Sequence, residues 1–323
     1  MASIHVPLSV PRDKRAEYEK NIALMTQGSG NLFLIAGDQK IEHLNDDFFG
    51  PGITPEDNDP EHLFRIASAS EGGVLASHLG LIANYGQSYF SLPYIVKING
   101  RTNLGNSEEK DSSKPLWKVK DIIEFKKQSG LKIVGIGYTL YLGGKYEGQM
   151  LKQAAKAINE AHQAGLTAIL WVYPRGKGVK EEDIHTIAGG AGVAACLGAD
   201  FAKVKYPYDA KDKKMAAKKF QEVTTAAGKT GIICVGGGKQ PAKSLISFLE
   251  LQLKTGKSRG LAIGRNLHQR PLDEAVRLAR ALSAMMFKGI SVAEAEKIYL
   301  NKEASQKSKI SNKKNKGGLL GLF

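Results

Sequence analysis

Eight short apolar, β-prone runs recur along this chain of 323 residues, and helical patterns lie between most of them. Such near-continuous apolar runs are typical of parallel strands that are covered on both faces. Right-handed crossovers would place every helix outside the sheet, so eight βα units predict an α/β fold of the TIM (β/α)8 barrel type. A doubly wound open sheet is the alternative, but no Gly-x-Gly-x-x-Gly follows the first run. The predicted strands are 32–38, 73–78, 94–100, 133–141, 167–174, 201–207, 231–238 and 260–266.

The helical patterns and the chain ends define the expected domain organisation. Residues 11–27 predict one helix that covers the bottom of the barrel, so we expect a single domain over 1–299. From 300 to 323 the chain becomes rich in Lys, Ser and Asn, which predicts a disordered basic tail. The clearest predicted helices are 148–164, 181–197, 213–227, 242–254 and 272–287.

Charge and cysteine content narrow the class of protein. The net charge is +14, and six lysines against one glutamate in residues 300–323 supply five of these charges. The remaining excess is scattered without arginine–aromatic interleaving, so a solvated surface attractive to anionic metabolites is favoured over nucleic-acid binding. No run resembles a signal peptide or a membrane span. Cys196 and Cys234 lie in apolar contexts, which predicts reduced, buried thiols in a cytoplasmic protein.

A lysine interrupts the apolar run that ends at Pro207. The period of two places Phe201, Lys203 and Lys205 on one face of the predicted strand. Two partly desolvated amines on one face would lower each other's pKa, and a neutral amine at pH 7 is a nucleophile. The alternative is that both lysines point into solvent at the end of the strand.

Two further strand ends carry groups suited to proton transfer and to substrate binding. Asp38 follows the first apolar run directly and is either a loop cap or a functional carboxylate. Tyr173 stands near the end of the fifth run, where its hydroxyl could act as a general acid or base if Lys203 lowered its pKa. The alternative for Tyr173 is a core residue whose hydroxyl bonds to the backbone.

Glycine-rich turns follow the seventh and eighth runs. Gly236 and Gly237 stand in one turn, and Gly264 precedes Arg265 in the other. Glycines let backbone amides approach an anion, and an arginine can bind phosphate oxygens through two hydrogen bonds. The loops after strands seven and eight form the recurrent phosphate site of TIM barrels, which favours this interpretation over two ordinary turns.

Together these residues resemble the archaeal-type class I fructose-bisphosphate aldolases, a family that includes aldolases of aromatic-precursor synthesis. The resemblance runs from about residue 32 to 287. Val235 departs from the pattern, because the family commonly has serine there. The stretches that carry the resemblance are Asp38-Gln39 with Ile41-Glu42-His43, Val96 through Gly100, Gly137-Tyr138-Thr139, Trp171 through Gly176, Gly198 through Tyr206, Gly236-Gly237 and Gly264-Arg265-Asn266.

The resemblance implies a role for each of these site residues. Lys203 would form a Schiff base, Tyr173 would move the proton, and Asp38 would hold substrate hydroxyls. From our own pattern analysis, Lys205 would help to keep Lys203 neutral. The resemblance also implies that Gly236, Gly237, Gly264 and Arg265 bind the phosphate of the dihydroxyacetone phosphate half, and that Trp171 and Arg175 line the site.

The sequence therefore predicts a metal-independent class I aldolase acting on fructose 1,6-bisphosphate. The seven histidines form no short metal-binding motif, so we expect neither a metal nor another cofactor. The expected partners are a phosphorylated sugar and further copies of the chain, with no membrane and no nucleic acid. The alternatives are a related Schiff-base lyase or transaldolase on another phosphorylated sugar and, less favoured, a basic nucleic-acid-binding barrel.

Overall fold

A closed barrel of eight parallel strands forms the centre of the molecule. The computed structural model describes residues 4–105, 110–208 and 210–301. Around the barrel the order is β1-β2-β3-β6-β7-β8-β9-β10, and β10 closes the ring by pairing with β1. The predicted TIM barrel is confirmed. The barrel strands are β1 (Leu32–Ala36), β2 (Val74–His78), β3 (Pro93–Lys97), β6 (Lys132–Leu142), β7 (Thr167–Pro174), β8 (Phe201–Val204), β9 (Gly231–Val235) and β10 (Gly260–Ile263).

Helices surround the barrel, and a two-stranded antiparallel ribbon of β4 (Asn99–Gly100) and β5 (Lys114–Pro115) follows β3. The longer helices bury residues three and four positions apart, as expected for helices that pack one face on a sheet. The helices are α1 (Arg15–Thr26), α2 (Gln39–His43), α3 (Glu61–Ala69), α4 (Leu79–Tyr85), α5 (Val119–Ser129), α6 (Glu147–Gln163), α7 (Ile184–Cys196), α8 (Lys213–Lys219), α9 (Gln221–Ala226), α10 (Ala242–Glu250), α11 (Arg265–His268), α12 (Leu272–Lys288) and α13 (Val292–Leu300).

The barrel interior is a packed column that α1 closes from below. Alternate residues of the strands point inward and form one buried cluster, to which Tyr18, Ile22 and Met25 of α1 also belong. The helix predicted over 11–27 thus covers the bottom of the barrel, with a short 3-10 turn at Arg12–Lys14 before it. Since apolar side chains of α1 close the bottom of this interior column, the side chains that reach its opposite end are the candidates for catalysis.

Several predicted element ends are wrong, two of them at the top of the barrel. β8 ends at Val204 and β10 at Ile263, earlier than predicted. The helix predicted over 213–227 divides at Phe220 into α8 and α9. Cys196 is exposed, because it is the last residue of α7, whereas Cys234 is buried as predicted.

Residues 302–323, nearly all of the predicted basic tail, lie outside the described residues, so the domain limits at 299 and 300 stay predictions. Helix α13 ends at Leu300. None of the helices described within residues 4–301 combines the length and the apolar character that a membrane crossing requires.

Candidate active site

The predicted nucleophile lies at the top of the interior column. Lys203 is on β8, and β7 pairs with β8 so that Trp171 stands directly beside Lys203. Lys97 is the last residue of β3, and Asp38 lies two residues after β1 ends. The carboxyl ends of four barrel strands or their following loops therefore bring these groups to one end of the barrel, where catalytic groups of this fold lie.

Lys203 is a buried amine with a second amine nearby. Its side chain is 3% exposed, and its Nζ lies 5.3 Å from the centre of the Trp171 ring. The Nζ of Lys97 lies 5.1 Å from the same ring. The pKa of Lys203 is lowered to about 8: burial is the largest cause, Lys97 and Arg265 also lower it, and Asp38 and Glu42 act in the opposite direction. The predicted neutral, nucleophilic lysine is thus supported, with Lys97 as the close cationic neighbour.

Asp38 is held by lysine and does not cap a helix. Its Oδ2 accepts a hydrogen bond of 3.3 Å from Lys97, and no side-chain bond caps the start of α2. Burial by itself raises the pKa of the Asp38 carboxyl, but the charges of Lys97, Lys203 and His78 hold it below the usual value. The carboxylate is therefore ionised at neutral pH. Its Oδ1 is buried and has no hydrogen-bond partner within the described ranges, which leaves an acceptor for a ligand hydroxyl.

Tyr173 keeps its proton more strongly than the sequence suggested. Burial raises the pKa of its hydroxyl well above the usual value, and Asp38 and Glu42 raise it further. Arg175 acts in the opposite direction, but the pKa stays raised, so the condition that Lys203 lowers it is not met. At neutral pH the side chain is consequently a phenol, able to donate a proton.

Lys205 does not belong to the group around Lys203. β8 ends at Val204, so the alternation that would have placed Lys205 beside Lys203 has already stopped. Its Nζ donates hydrogen bonds of 2.7 Å to Glu181 and 2.9 Å to Glu182. Burial acts to lower the pKa of Lys205, but these two carboxylates raise it above the usual value. The predicted role of Lys205 in keeping Lys203 neutral is therefore wrong, and Lys97 has that position.

The two predicted phosphate-binding turns lie side by side, but the two glycines of the first turn differ. The amide of Gly236 donates to the carbonyl of Ala262 at 2.8 Å, so it completes the sheet and is not free for an anion. Gly237 has a φ of +70°, a conformation that favours glycine. Its amide has no backbone acceptor in the described part of the chain. Gly264 precedes α11, and Arg265, the first residue of that helix, has its Nε 3.8 Å from Asp47.

Asn266 fixes the two turns to each other, a role that the sequence analysis did not assign. Its Nδ2 donates to the carbonyls of Gly236 at 2.8 Å and Gly238 at 2.7 Å. Its Oδ1 accepts from the backbone amide of Gln240 at 2.8 Å. The side chain is fully buried, so these bonds hold the turn after β9 rigidly against α11. The feature of the sequence that could have indicated this role is the position of Asn266 directly after Gly264-Arg265.

A cationic group lines the mouth of the site beside Tyr173. Arg101 donates to Glu42 at 2.8 Å, and Tyr141 donates to the same carboxylate at 2.9 Å. The Arg175 guanidinium lies 4.8 Å from the ring centre of Tyr141 and 5.3 Å from that of Tyr173. Arg175 therefore lies where the sequence predicted, but one carboxylate partly offsets the charge of both arginines.

Trp171 lines the site as predicted, because β6 leaves space for its indole. A Cβ at Gly137 on β6 would lie 2.5 Å from the Trp171 ring. The described residues contain no group of three or more His, Cys, Asp or Glu side chains placed to hold a metal ion. The chemistry that these residues can perform themselves is amine addition to a carbonyl, with proton donation by a phenol and hydrogen bonding by a carboxylate.

Comparisons with known proteins agree with this site. The model of the DeoC/LacD family aldolases matches residues 32–270. A protein of Methanocaldococcus jannaschii named fructose-bisphosphate aldolase/6-deoxy-5-ketofructose 1-phosphate synthase is 52% identical over 92% of this chain and 94% of its own length.

Solved structures show the same likeness. A fructose-bisphosphate aldolase from Slackia heliotrinireducens superposes with a TM-score of 0.88 at 45% identity, covering 92% of this chain and 94% of that one. An archaeal fructose-1,6-bisphosphate aldolase, whose catalytic lysine is covalently bound to the carbinolamine intermediate of its substrate, has a TM-score of 0.70 at 28% identity. It covers 84% of this chain and 99% of that one. The family predicted from the sequence is confirmed, and this chain belongs to the DeoC/LacD family of aldolases.

Proposed function

We propose that this chain is a class I aldolase that cleaves fructose 1,6-bisphosphate to dihydroxyacetone phosphate and glyceraldehyde 3-phosphate, and also catalyses the reverse reaction. The observation that supports it most strongly is a buried lysine, Lys203, with a pKa of about 8 among a second lysine and an ionised carboxylate. The relative from Methanocaldococcus jannaschii is named a fructose-bisphosphate aldolase, and the archaeal aldolase structure has a carbinolamine on its catalytic lysine. Both support the same reaction for this chain.

The first step is addition of the Lys203 amine to the substrate ketone. With a pKa near 8, about a tenth of Lys203 is neutral at pH 7, far more than for an ordinary lysine. Loss of water from the carbinolamine gives an iminium. The adjacent Trp171 ring offers its face to the cation that then forms on Lys203.

The second step breaks the bond between C3 and C4. The C4 hydroxyl gives its proton to the Asp38 carboxylate, the C3–C4 bond breaks, and its electron pair moves to the iminium nitrogen to leave an enamine. We assign the free Oδ1 of Asp38 to a substrate hydroxyl. Tyr173, which holds its proton firmly, donates it to C3 of the enamine and regains a proton through solvent as Asp38 gives up the one taken from the C4 hydroxyl. Hydrolysis of the resulting iminium then releases dihydroxyacetone phosphate and Lys203.

The two ends of the substrate would be held by different groups. We assign the phosphate on C1 to the Gly237 amide, the turn at Gly264 and the Arg265 guanidinium, while Gly236 gives close approach of the backbone without donating its own amide. The second phosphate would lie near Arg175 at the mouth. Val235 offers no hydroxyl, so the backbone and Arg265 would supply the contacts to the C1 phosphate.

A second activity, formation of a deoxyketose phosphate, is favoured by one feature of the mouth. Glu42 partly offsets the charges of Arg101 and Arg175, so that end would also accept an uncharged aldehyde. The name of the 52% identical relative includes 6-deoxy-5-ketofructose 1-phosphate synthase. Retro-aldol cleavage of the C3–C4 bond of that product gives dihydroxyacetone phosphate and 2-oxopropanal. The iminium on Lys203 would therefore serve both bisphosphate cleavage and formation of the deoxyketose phosphate.

We further propose that the protein works in the cytoplasm, in breakdown and synthesis of hexose phosphates (glycolysis and gluconeogenesis), as a homo-oligomer. Cys196 and Cys234 are unpaired, as expected in a reducing compartment. Leu116 and Trp117, next to the β4–β5 ribbon, are 45% and 38% exposed and could be covered by a second copy. Light scattering at two protein concentrations tests this assembly, and a monomer at both would contradict it.

Steady-state cleavage rates test the proposed function. Purified protein should cleave fructose 1,6-bisphosphate at a rate that EDTA does not change, because the iminium takes the role of an electron sink. Fructose 1-phosphate, which lacks the second phosphate, should be cleaved with a lower kcat/KM. Condensation of dihydroxyacetone phosphate with 2-oxopropanal, followed by product mass, tests the second activity. Turnover that vanishes with EDTA would contradict the proposal.

A further inference from the structure

A large cavity lies at the opposite end of the barrel from Lys203. Its volume is about 750 Å³, and its walls come from the start of β8, the start of β9, the end of α1 and residues 4–7. Asp200, which directly precedes β8, is part of the wall. None of the groups assigned above to the aldolase reaction lines this cavity.

Three cationic side chains of this cavity lack a carboxylate partner. Lys229, Lys257 and Arg259 line it, and all three are exposed. Among residues 4–105, 110–208 and 210–301, no Asp or Glu forms an ion pair with any of them, whereas Lys126, Lys205 and Arg270 are each paired with a glutamate. Arg259 donates from its Nε to the carbonyl of Gly30 at 2.9 Å, a bond that orients the guanidinium.

The backbone at one of these positions is unusual. Lys257 has a φ of +59°, in the left-handed region that glycine normally occupies. A side chain in this conformation is strained, and such positions are frequent at ligand sites. The adjacent wall at Gly228 also has a positive φ of +58° and leaves open space where a Cβ would stand.

The single carboxylate in the wall does not cancel this charge. Asp200 accepts hydrogen bonds from the Tyr18 hydroxyl, from the Ala168 amide at 2.7 Å and from His162 Nε2 at 3.2 Å. Its side chain is only 4% exposed, so its negative charge interacts mainly with those donors. The cavity thus offers three cations to a ligand against one carboxylate whose oxygens are already bonded.

We infer that this cavity is a second anion site, which binds a small phosphorylated molecule with at least two negative charges. Lysine and arginine around an open, glycine-containing wall are the groups that bind phosphate oxygens, and the guanidinium adds directional hydrogen bonds. The site goes beyond the proposed aldolase function. Its wall also includes Asp200 and Phe201, the residue before β8 and the first residue of β8, so an occupant contacts the base of the strand that carries Lys203.

Calorimetric titration with inorganic pyrophosphate at constant ionic strength tests the inference. All proteins in the experiment carry Arg265→Ala, which weakens phosphate binding at the top of the barrel. The parent should still bind pyrophosphate at one site per chain. A double variant, Lys229→Ala with Lys257→Gly, should bind about 5–30 times more weakly, since two exposed cationic contacts are lost together. Glycine suits the positive φ of residue 257, so the fold should be kept, and thermal unfolding checks this.

A second double variant removes the same charge elsewhere. Lys127→Ala with Lys152→Ala changes two exposed lysines of α5 and α6 that do not line the cavity, and its pyrophosphate affinity should equal that of the parent. Equal weakening in both double variants would mean that only net charge matters and would overturn the inference. No binding by the parent at millimolar pyrophosphate, or unchanged binding by the cavity variant, would overturn it as well. Because no step uses the Schiff base, these outcomes do not depend on the aldolase reaction.

Discussion

Two buried carboxylates at opposite ends of the barrel show how one fold separates stability from chemistry. At the bottom, Asp200 receives hydrogen bonds from Tyr18, Ala168 and His162 through both of its oxygens. At the top, Asp38 is bonded through one oxygen to Lys97, and its other oxygen is buried without a partner in the described part of the protein. A buried polar group whose hydrogen bonds are all made rigidifies the structure. A buried polar group without a hydrogen-bond partner destabilises the fold unless a ligand supplies the missing bond.

The lysines follow the same contrast. Lys205, just beyond the end of β8, lies between two glutamates and has a raised pKa. Lys203, two residues earlier and inside the barrel, has a pKa lowered to about 8 by burial and by Lys97. Position relative to the end of the strand, more than residue type, therefore decides which lysine can be a nucleophile.

Among the substitutions that leave Lys203 in place, the largest expected effect comes from removing the proton of Tyr173. Tyr173→Phe keeps the ring but removes the donor to the enamine, so turnover should fall by about 10²–10⁴-fold. The covalent adduct on Lys203 should still form, because amine addition precedes that proton transfer. Rapid-quench measurement of adduct and product separates the two steps. Equal loss of both would show that Tyr173 acts in forming the adduct.

Next in size is the loss of the phosphate contact. Arg265→Ala removes a charge-assisted interaction of roughly 1.5–3 kcal/mol. The apparent affinity for fructose 1,6-bisphosphate should weaken by about one to two orders of magnitude, while a non-phosphorylated ketose should be affected less. Steady-state kinetics with both substrates measure this. Equal losses on both would mean that Arg265 supports the fold of the turn.

A pH profile sharpens the comparison of the lysines. Lys97→Met removes a positive charge beside Lys203 and frees Asp38, and both changes favour the ammonium form of Lys203. The pKa of Lys203 should rise from about 8 toward the ordinary lysine range, so the acid limb of kcat/KM should move to higher pH. Lys205→Met is the matched control and should leave the limb in place, because Lys205 faces Glu181 and Glu182. A shift in the control alone would reverse the assignment.

The smallest effect on activity is expected at the bottom of the barrel. Tyr18→Phe removes one donor to buried Asp200 and should reduce the free energy of unfolding by about 1.5–3 kcal/mol. The Tm should then fall by about 3–6 °C, with kcat within about twofold of the parent. Calorimetry and kinetics on one preparation measure both. A large loss of kcat at unchanged Tm would contradict the separation of the two ends.

Much of this contrast is visible in the sequence, because it depends on local pattern. The apolar runs predict all eight barrel strands, and the strand-end positions of Lys203, Tyr173 and Asp38 predict that they meet. The errors arise where tertiary contacts decide. The alternation that placed Lys205 beside Lys203 assumed a strand to residue 207, whereas β8 stops at Val204. Lys97 was missed as a functional group, since its partner Asp38 is 59 residues away and meets it only when the barrel closes.

Trapping of the intermediate tests the central claim most directly. Borohydride added with fructose 1,6-bisphosphate should reduce the iminium to a stable secondary amine, and peptide mass mapping should locate the adduct on Lys203. Lys203→Ala should abolish both the adduct and turnover, and Lys205→Ala should retain both, because Lys205 is held by two glutamates outside the barrel. An adduct on Lys97 or Lys205, or full turnover by Lys203→Ala, would contradict the assignment of Lys203 as the nucleophile.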